Sequence, residues 1–305
     1  MKLMSTDVPV IETRNLVRRY GHTDAVNGLN LRVRPGRCYG FFGRNGAGKT
    51  TTIKCLLNLL RPTSGEVKVF DLHPGRNEVA VKSRLAYVPD YVAFYPWMTV
   101  RQALDYFASF RTVWNETTER ALVSQFRLDE RQKTSHLSKG QRTQLALIAA
   151  ICPEPELLIL DEPTSGLDPI VRREFIQTVI GAYQDGDPDR RTVFVSTHLI
   201  SEFEGLIDEF TIIDRGREAL TLDADAARER YQKIYVRFLA EPAGLDLSGA
   251  RVLRTRGREM EIVANGDSSR VIEALRARAP ETLTTESLTL EEIFVTTLQP
   301  QGTLA

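Results

Sequence analysis

Hydrophobic residues mark two kinds of element in the first two-thirds of the chain. Three short runs stay apolar instead of alternating with polar residues: Cys38–Phe42, Leu157–Leu160 and Thr192–Ser196. Unbroken runs of this kind are typical of strands buried on both faces of a parallel sheet. After Gly48 the apolar residues recur at helical spacing, and Pro62 lies just past the expected end of that helix. The pattern predicts an α/β fold with a mainly parallel sheet flanked by helices.

The pattern changes twice farther along the chain, which predicts two further regions. Between about Val100 and Cys152 it is mostly helical and indicates an inserted helical subdomain within about residues 90–155. Past Leu220 we expect three strands and a helix: Lys233–Leu239, Gly249–Leu253 and Glu259–Ala264, then Ser269–Ala279. We therefore predict a main domain over residues 1–221 and a small α+β domain over residues 222–305.

Composition narrows the class of protein. The 305-residue chain is 42% hydrophobic and 26% charged, the balance of a globular protein with a sizeable core. Its 40 Lys and Arg residues match its 40 Asp and Glu residues, so no net field attracts the whole chain to nucleic acid. No stretch reaches the roughly 18 apolar residues of a membrane span, and no signal-peptide core is found. The three cysteines are widely spaced, as expected of free thiols in a reducing cytosol. We expect a cytoplasmic protein.

The segment Gly43–Thr50 fits the P-loop pattern and lies between an expected strand and an expected helix. Its glycines allow several backbone N–H groups to point at phosphate oxygens, and the helix adds its positive N-terminal end. Lys49 is expected to reach the β- and γ-phosphates, and the Thr50 hydroxyl to bind magnesium. The alternative is a glycine-rich turn that binds nothing. The candidate nucleotide contacts are Gly43, Arg44, Asn45, Gly46, Ala47, Gly48, Lys49, Thr50 and Thr51.

Two adjacent carboxylates end the apolar run Leu157–Leu160. The carboxyl end of a strand in a parallel sheet is where ligands bind. Asp161 can hold magnesium through its water shell, and Glu162 can polarise the attacking water. The alternative is a pair of solvated acids at a strand end.

Further motifs identify a family. Leu137–Gln141 (LSKGQ) resembles the LSGGQ signature of the ATP-binding cassette (ABC) ATPases, and Pro163–Asp168 resembles their D-loop. Ser196–His198 is similar to the H-loop, and Tyr20 to the aromatic A-loop residue. The resemblance covers about residues 8–220 and implies a P-loop cassette with an antiparallel β subdomain and the inserted helical subdomain.

The resemblance also implies how two chains share two ATP molecules. The signature contacts the γ-phosphate of the ATP held by the opposite protomer, in a homodimer or in a heterodimer with a related ATPase; its residues are Ser138, Lys139, Gly140 and Gln141. Asp168 belongs to the D-loop, and His198 would sense the γ-phosphate. Tyr20 would stack on adenine, although a tyrosine before a glycine can simply pack a turn. From its own chemistry Ser138 suits a helix N-cap, and Lys139 is expected to be a solvated side chain.

One position departs from the family pattern. In Ala86–Asp90 the family usually has Gln at the last position, whereas this chain has Asp90. Asp keeps an oxygen ligand for magnesium but is shorter and adds a charge. Asp90 is therefore a third candidate metal ligand, after Thr50 and Asp161.

Three segments outside the nucleotide motifs allow alternatives. Phe94–Met98 is either a packed loop or part of the groove that accepts a coupling helix of a membrane subunit, and it precedes an expected N-cap at Thr99. Ser287–Phe294 resembles the C-terminal segment of ATPase subunits of bacterial ABC exporters, but it could simply be an amphipathic docking helix. Alternation of Arg254, Arg256 and Arg258 favours a solvated strand face over a phosphate-binding patch.

These features predict an ATPase that converts ATP and water to ADP and phosphate, with ATP and Mg²⁺ as its cofactors. It would power export of an unknown substrate through a separate membrane-spanning permease and bind peripherally at the inner face of the cell membrane. The alternative is an ATP-driven clamp on nucleic acid or ribosomes. The clamps of this family carry two cassettes or a long coiled coil before the signature, so we expect no nucleic-acid partner here. Glu162 and His198 argue against a third possibility, a regulatory subunit that hardly hydrolyses ATP.

Overall fold

The computed structural model describes residues 8–184, 191–240, 245, 247, 249–266 and 268–299. The strands among these residues form three sheets. The strands are β1 Ile11–Tyr20, β2 Thr23–Val33, β3 Cys38–Phe42, β4 Ser64–Val69, β5 Leu85–Val88, β6 Leu157–Asp161, β7 Thr192–Thr197, β8 Glu209–Asp214, β9 Arg217–Asp223, β10 Tyr231–Arg237, β11 Ala250–Arg256, β12 Glu259–Asn265 and β13 Thr282–Ser287. The helices are α1 Lys49–Leu56, α2 Glu78–Lys82, α3 Val100–Ala108, α4 Glu116–Gln125, α5 Lys139–Ile151, α6 Pro169–Gln184, α7 Ala224–Arg230, α8 Ser268–Arg276 and α9 Leu290–Leu298.

The chain divides into two compact units. The first contains the residues up to Ile207 together with Thr211–Glu218. The second contains Asp208–Phe210 and the residues from Ala219 onward.

The largest sheet carries the three predicted apolar strands as neighbours. Its strand order is β5-β6-β7-β3-β8-β9, and β5, β6, β7 and β3 run parallel to one another. β3 has the predicted bounds, whereas β6 and β7 each extend one residue beyond the prediction. Every residue of β3, β6 and β7 is buried, which explains why apolar and polar residues do not alternate in them. The predicted α/β fold is confirmed.

Parallel pairing brings the carboxyl ends of these strands to one edge of the sheet. The register pairs Asp161 of β6 with Ser196 of β7, and Phe42 of β3 with Thr197 of β7. The P-loop after β3, Glu162 after β6 and His198 after β7 therefore leave the sheet side by side.

A second, three-stranded sheet shares a hydrophobic core with the first. Its strand order is β2-β1-β4, and β1 is antiparallel to both neighbours. The shared core contains Ile11 of β1, Ile53 of α1 and Phe194 of β7, each fully buried. Helix α1 is thus fixed by apolar contacts, which hold the P-loop at its N-terminal end.

Helices α3, α4 and α5 occupy the region for which the sequence predicted a helical subdomain. Two of them begin with a capping box at the predicted residue. The Thr99 hydroxyl accepts a hydrogen bond from Gln102 N while Gln102 Oε1 accepts one from Thr99 N, and Ser138 and Gln141 do the same at α5. Both N-cap predictions are confirmed.

A buried carboxylate joins α3 to α4. Glu119 accepts hydrogen bonds from Arg101 Nη1 at 2.5 Å and from Trp114 Nε1 at 2.7 Å, and its side chain is only 5% exposed. Burial acts to raise the pKa of Glu119, but the hydrogen bonds from Arg101 and Trp114 outweigh it and hold that pKa below its ordinary value. Glu119 is therefore a charged cross-link within the helical region.

The second unit contains a four-stranded antiparallel sheet of order β11-β12-β10-β13. Val271 and Leu275 of α8 pack in one hydrophobic cluster with Ile234 of β10 and Ile262 of β12. The predicted strands and helix are all present, with bounds shifted by at most three residues.

Two C-terminal segments show the local structure that the sequence suggested. Leu290 and Ile293 are buried on α9, so Ser287–Phe294 includes the start of an amphipathic helix. Arg254 and Arg256 lie on β11 and Arg258 follows it, and all three are exposed.

No helix in the described part of the chain combines the length and the apolar character that a membrane crossing requires.

Removing the Glu119 carboxylate should destabilise the protein. Glu119→Ala leaves Trp114 Nε1 without its partner and removes the buried partner of Arg101, which keeps its contacts with Asp105 and Glu130. The expected cost is about 2 kcal/mol of unfolding free energy, less than for a fully buried pair, because Arg101 is partly solvated. Urea denaturation of Glu119→Ala and of Glu116→Ala, an exposed control on α4, would measure this loss of unfolding free energy. Because the folded pKa is lowered, the contribution of Glu119 is present above its unfolded pKa of about 4.3 and should vanish as the pH falls through the folded value. Equal midpoints for both variants would contradict this role.

Candidate functional site

The P-loop has a backbone that only glycine allows at one position. Gly48 has φ +111°, and a Cβ built on it would lie 2.4 Å from the backbone oxygen of Ala25. Lys49 follows as the first residue of α1, and its ammonium donates a hydrogen bond to the Gly43 carbonyl at 2.6 Å. This bond closes the loop around its own lysine, which is only 6% exposed.

Asp161 is a fully buried carboxylate with unused acceptor capacity. Its Oδ1 accepts a hydrogen bond from Ser196 Oγ at 3.0 Å, whereas Oδ2 is buried and has no hydrogen-bond partner among the described residues. Burial raises the pKa of Asp161, and the hydroxyls of Thr50 and Ser196 oppose that effect. A buried acceptor beside a hydroxyl suits a cation with oxygen ligands.

The Glu162 carboxylate lies between a cation and an imidazole. Its Oε1 is 2.9 Å from Lys49 Nζ, and its Oε2 is 2.8 Å from His198 Nδ1. Thr197 Oγ1 also donates to Oε2, at 3.3 Å. The Glu162 backbone has φ +48°, in the left-handed region that non-glycine residues rarely adopt, and its N–H donates to the Ser196 carbonyl. The turn after β6 thus holds this side chain against the P-loop and the end of β7.

The signature and the D-loop meet each other within the chain. A Cβ built on Gly166, which has φ +67°, would lie 2.9 Å from Lys139 Nζ. A Cβ on Gly140 would lie 3.1 Å from Cγ1 of Val171 in α6. Lys139 is exposed as expected, but its ammonium lies against the D-loop, which the sequence did not reveal. Asp168 Oδ1 accepts hydrogen bonds from the backbone of Ile170 and Val171 and so caps α6.

Comparison with known proteins decides the family. The family model of ABC transporters matches residues 26–165. The chain is 34% identical over 231 residues to the bacitracin transport ATP-binding protein BcrA of Bacillus licheniformis. The matched region covers 75% of this chain and 74% of that protein. The chain belongs to the ATP-binding proteins of ABC transporters.

A further relative and a solved structure support the same family. The Nod factor export ATP-binding protein I of Burkholderia orbicola (strain AU 1054) is 36% identical over 218 residues, 69% of this chain and 70% of that protein. A solved structure of the ATP-binding subunit of an ABC transporter superposes with a TM-score of 0.65 at 26% identity, over 72% of this chain and 92% of that one. The predicted cassette fold and the predicted ATPase activity coupled to transport are confirmed, and the comparisons do not support the nucleic-acid clamp.

The structure gathers most of the predicted ABC residues at one edge of the large sheet. At that edge Glu162 contacts both Lys49 and His198. Asp161 is hydrogen-bonded to Ser196 of β7. Asp90 is exposed, and its charge acts together with that of Glu162 to raise the pKa of Asp161, although burial is the main cause.

Tyr87 was not predicted as part of this site. Burial raises the pKa of its hydroxyl, and the charges of Asp161 and Asp90 raise it further. Tyr87 could have been included in the predicted site because it lies near the end of β5, which pairs in parallel with β6, the strand that carries Asp161.

The aromatic segment before α3 lies at the surface. Tyr95 is 47% exposed and Trp97 64% exposed, and their ring centroids are 4.8 Å apart. Tyr106 of α3 contacts the rings of both Tyr95 and Phe110. The interpretation of this segment as a buried loop is wrong for Tyr95 and Trp97.

Replacing the P-loop lysine should weaken ATP binding or slow ATP hydrolysis. Lys49→Ala removes the cation expected to face the triphosphate and leaves Glu162 without its ion-pair partner, so ATP affinity or turnover should fall at least about tenfold. Isothermal titration with ATP and a phosphate-release assay would measure the two quantities. Lys54→Ala, an exposed lysine of the same helix, is the control and should match the parent. A folded Lys49→Ala variant with the activity of the parent would refute the assignment of the site.

Proposed function

We propose that Glu162 is the group that activates water for ATP hydrolysis in this ABC ATPase. The observation that carries the proposal is the position of its carboxylate, held 2.9 Å from Lys49 Nζ and 2.8 Å from His198 Nδ1. A general base must be fixed near both the phosphate and the water, and the P-loop lysine marks the phosphate end of this arrangement. His198 orients the same carboxylate and is placed to sense the γ-phosphate.

The remaining nucleotide contacts follow the family arrangement. Backbone N–H groups of the P-loop bind the phosphates; the residues are Gly43, Arg44, Asn45, Gly46, Ala47, Gly48, Lys49, Thr50 and Thr51. Tyr20, which is 45% exposed, stacks on adenine. The N-terminus of the 13-residue helix α5 attracts anions. By its resemblance to the family signature, Ser138–Gln141 at that end would serve the ATP of the opposite protomer. Asp168 caps the start of α6 and thereby holds the D-loop beside that signature.

The residues at the sheet edge fit a magnesium ion. Asp161 has a buried oxygen without a partner, and the Thr50 hydroxyl acts on the same carboxylate. Thr50 and Asp161 would hold the metal, and Asp90 would reach it through water. Bound magnesium neutralises negative charge on the β- and γ-phosphates. The protein's part is to supply these oxygens from rigid strand and helix ends.

The partner we propose is a membrane-spanning permease that binds the exposed aromatic segment Phe94–Met98. Exposed Trp97 and Tyr95 combine apolar area with polar groups, which suits a helix of a partner protein. The named relatives include a bacitracin transport protein and a Nod factor export protein, which supports export as the direction. The chain would then act as a dimer, homomeric or with a related ATPase, at the inner face of the cell membrane.

Residues 222–305 form, in this proposal, an accessory domain that leaves the nucleotide site intact. Every nucleotide motif lies before residue 222, and the sheet formed by β10 to β13 has its own hydrophobic cluster.

Replacing the proposed base should separate ATP binding from hydrolysis. Glu162→Gln keeps the shape of the side chain and loses the basic oxygen, so turnover should fall by about 100-fold or more while ATP still binds. Size-exclusion chromatography with ATP should then show an ATP-bound dimer. Glu66→Gln, an exposed residue of β4, is the control and should hydrolyse ATP like the parent. Comparable turnover by Glu162→Gln and the parent would remove Glu162 from this role.

Asp90 allows a test of coupling between the metal site and the partner. If Asp90 acts through the metal, Asp90→Ala should weaken magnesium-dependent turnover, and Asp90→Gln should preserve much of it. We expect a larger loss in stimulation by the permease, because Asp161 and Glu162 already supply the buried carboxylates. Magnesium titrations of both variants, with and without the permease in vesicles, distinguish these effects. Parental behaviour of Asp90→Ala in both assays would show that the position has neither role.

A further inference from the structure

Arg18 and Tyr20 lie two residues apart on β1, and their side chains touch. The guanidinium carbon of Arg18 is 4.6 Å from the centroid of the Tyr20 ring. This separation is within the range of a cation–π contact. A planar cation thus covers one face of the ring, while Tyr20 as a whole is still 45% exposed.

Arg18 is itself fixed from the other side. Its Nη1 donates a hydrogen bond to the Arg61 carbonyl at 3.0 Å, in the segment that follows α1. Its Nε is buried. Its charge also reaches Cys55 in α1, where it opposes the effect of burial, which raises the pKa of the thiol. Arg18 therefore connects the tip of the β1–β2 hairpin to the far end of the helix that begins with the P-loop lysine.

The neighbouring arginine makes a different contact. Arg19 Nε lies 2.5 Å from Asp24 Oδ1, and this pair closes the hairpin on the solvent side, where the Arg19 side chain is 54% exposed. The two arginines are adjacent on β1 and have the same charge, but the guanidinium of Arg18 lies over the Tyr20 ring whereas that of Arg19 binds Asp24. Arg19 therefore provides a matched control.

We propose that Arg18 is a positioning residue for adenine recognition, because it fixes the Tyr20 ring and leaves the opposite ring face for the base. The inference rests on the proposed stacking of adenine on Tyr20. A guanidinium stacks flat on an aromatic ring, and an ammonium cannot reproduce that planar contact. A ring that is already held in place loses less conformational entropy when a base stacks on it, which strengthens binding.

The test compares a nucleotide with a ligand that has no base. Titration calorimetry with AMP-PNP and with tripolyphosphate, both with magnesium, is applied to the full-length parent and to Arg18→Ala, Arg18→Lys, Arg19→Ala and Tyr20→Ala. Arg18→Ala should weaken AMP-PNP about two- to fivefold and leave tripolyphosphate unchanged, as expected for one cation–π contact. Arg18→Lys should recover part of the loss and keeps the test valid if Arg18→Ala does not fold. Tyr20→Ala should give a larger loss, again only for AMP-PNP, and Arg19→Ala should match the parent for both ligands.

Several outcomes would overturn the inference. Equal losses for both ligands would mean that Arg18 only supports the end of α1. Unchanged or tighter AMP-PNP binding by Arg18→Ala would mean that the covered ring face is the one adenine needs, or that the ring needs no support. A Tyr20→Ala variant that binds AMP-PNP like the parent would instead overturn the proposed stacking of adenine on Tyr20, so the two failures are distinguishable.

Discussion

A single carboxylate, that of Glu162, joins the P-loop to the two strands that end beside it. It contacts the ammonium of Lys49 and the imidazole of His198, and its backbone N–H is bonded to β7. Glu162 and these partners come from three separate parts of the chain, so they meet only if β3, β6 and β7 lie side by side in register. A slip of one residue would turn the Asp161 side chain to the other face of the sheet and away from Ser196. The buried apolar runs therefore determine the site as much as its polar residues do.

The charges at this edge of the sheet are unequal. The Asp161 carboxylate is fully buried and the Glu162 side chain is only 10% exposed, whereas the cation in contact with Glu162 is Lys49. Burial, helped by the negative charges of Glu162 and Asp90, raises the pKa of Asp161. Two adjacent acids are costly to bury unless a cation compensates them. This arrangement of acids and one cation is thus suited to bind a divalent cation together with a polyphosphate.

The sequence predicted those parts of the structure whose signals are local. Continuous apolar runs predicted β3, β6 and β7 to within one residue, and hydroxyl residues before apolar helices predicted the N-caps Thr99 and Ser138. Contacts between distant residues carry no such signal. The Lys49–Glu162 pair depends on strand order, and the position of Lys139 against Gly166 depends on how α5 packs beside α6. Trp97 is exposed because the neighbouring elements do not cover its ring. An apolar pattern in the sequence does not show which aromatic residues are left uncovered.

The exposed aromatic segment is bonded to the chain that leads into the signature. Thr134 N donates to the Met98 carbonyl at 2.9 Å, and Thr134 Oγ1 donates to the Tyr95 carbonyl at 2.8 Å. Three residues after Thr134 comes the buried Leu137, and then Ser138 at the start of α5.

In the other direction the aromatic segment is continuous with β5, whose end carries Asp90 beside the Asp161 carboxylate. A partner that moves this segment therefore acts through short covalent and hydrogen-bonded paths on both sides. One path leads to Asp161 at the edge of the large sheet, and the other to Ser138 at the N-terminus of α5. Energetic coupling of two sites requires such a contiguous element, and a demonstration requires that both sites bias it. Asp90 lies along the first path, so its departure from the Gln usual in the family adds a negative charge that acts on the Asp161 carboxylate.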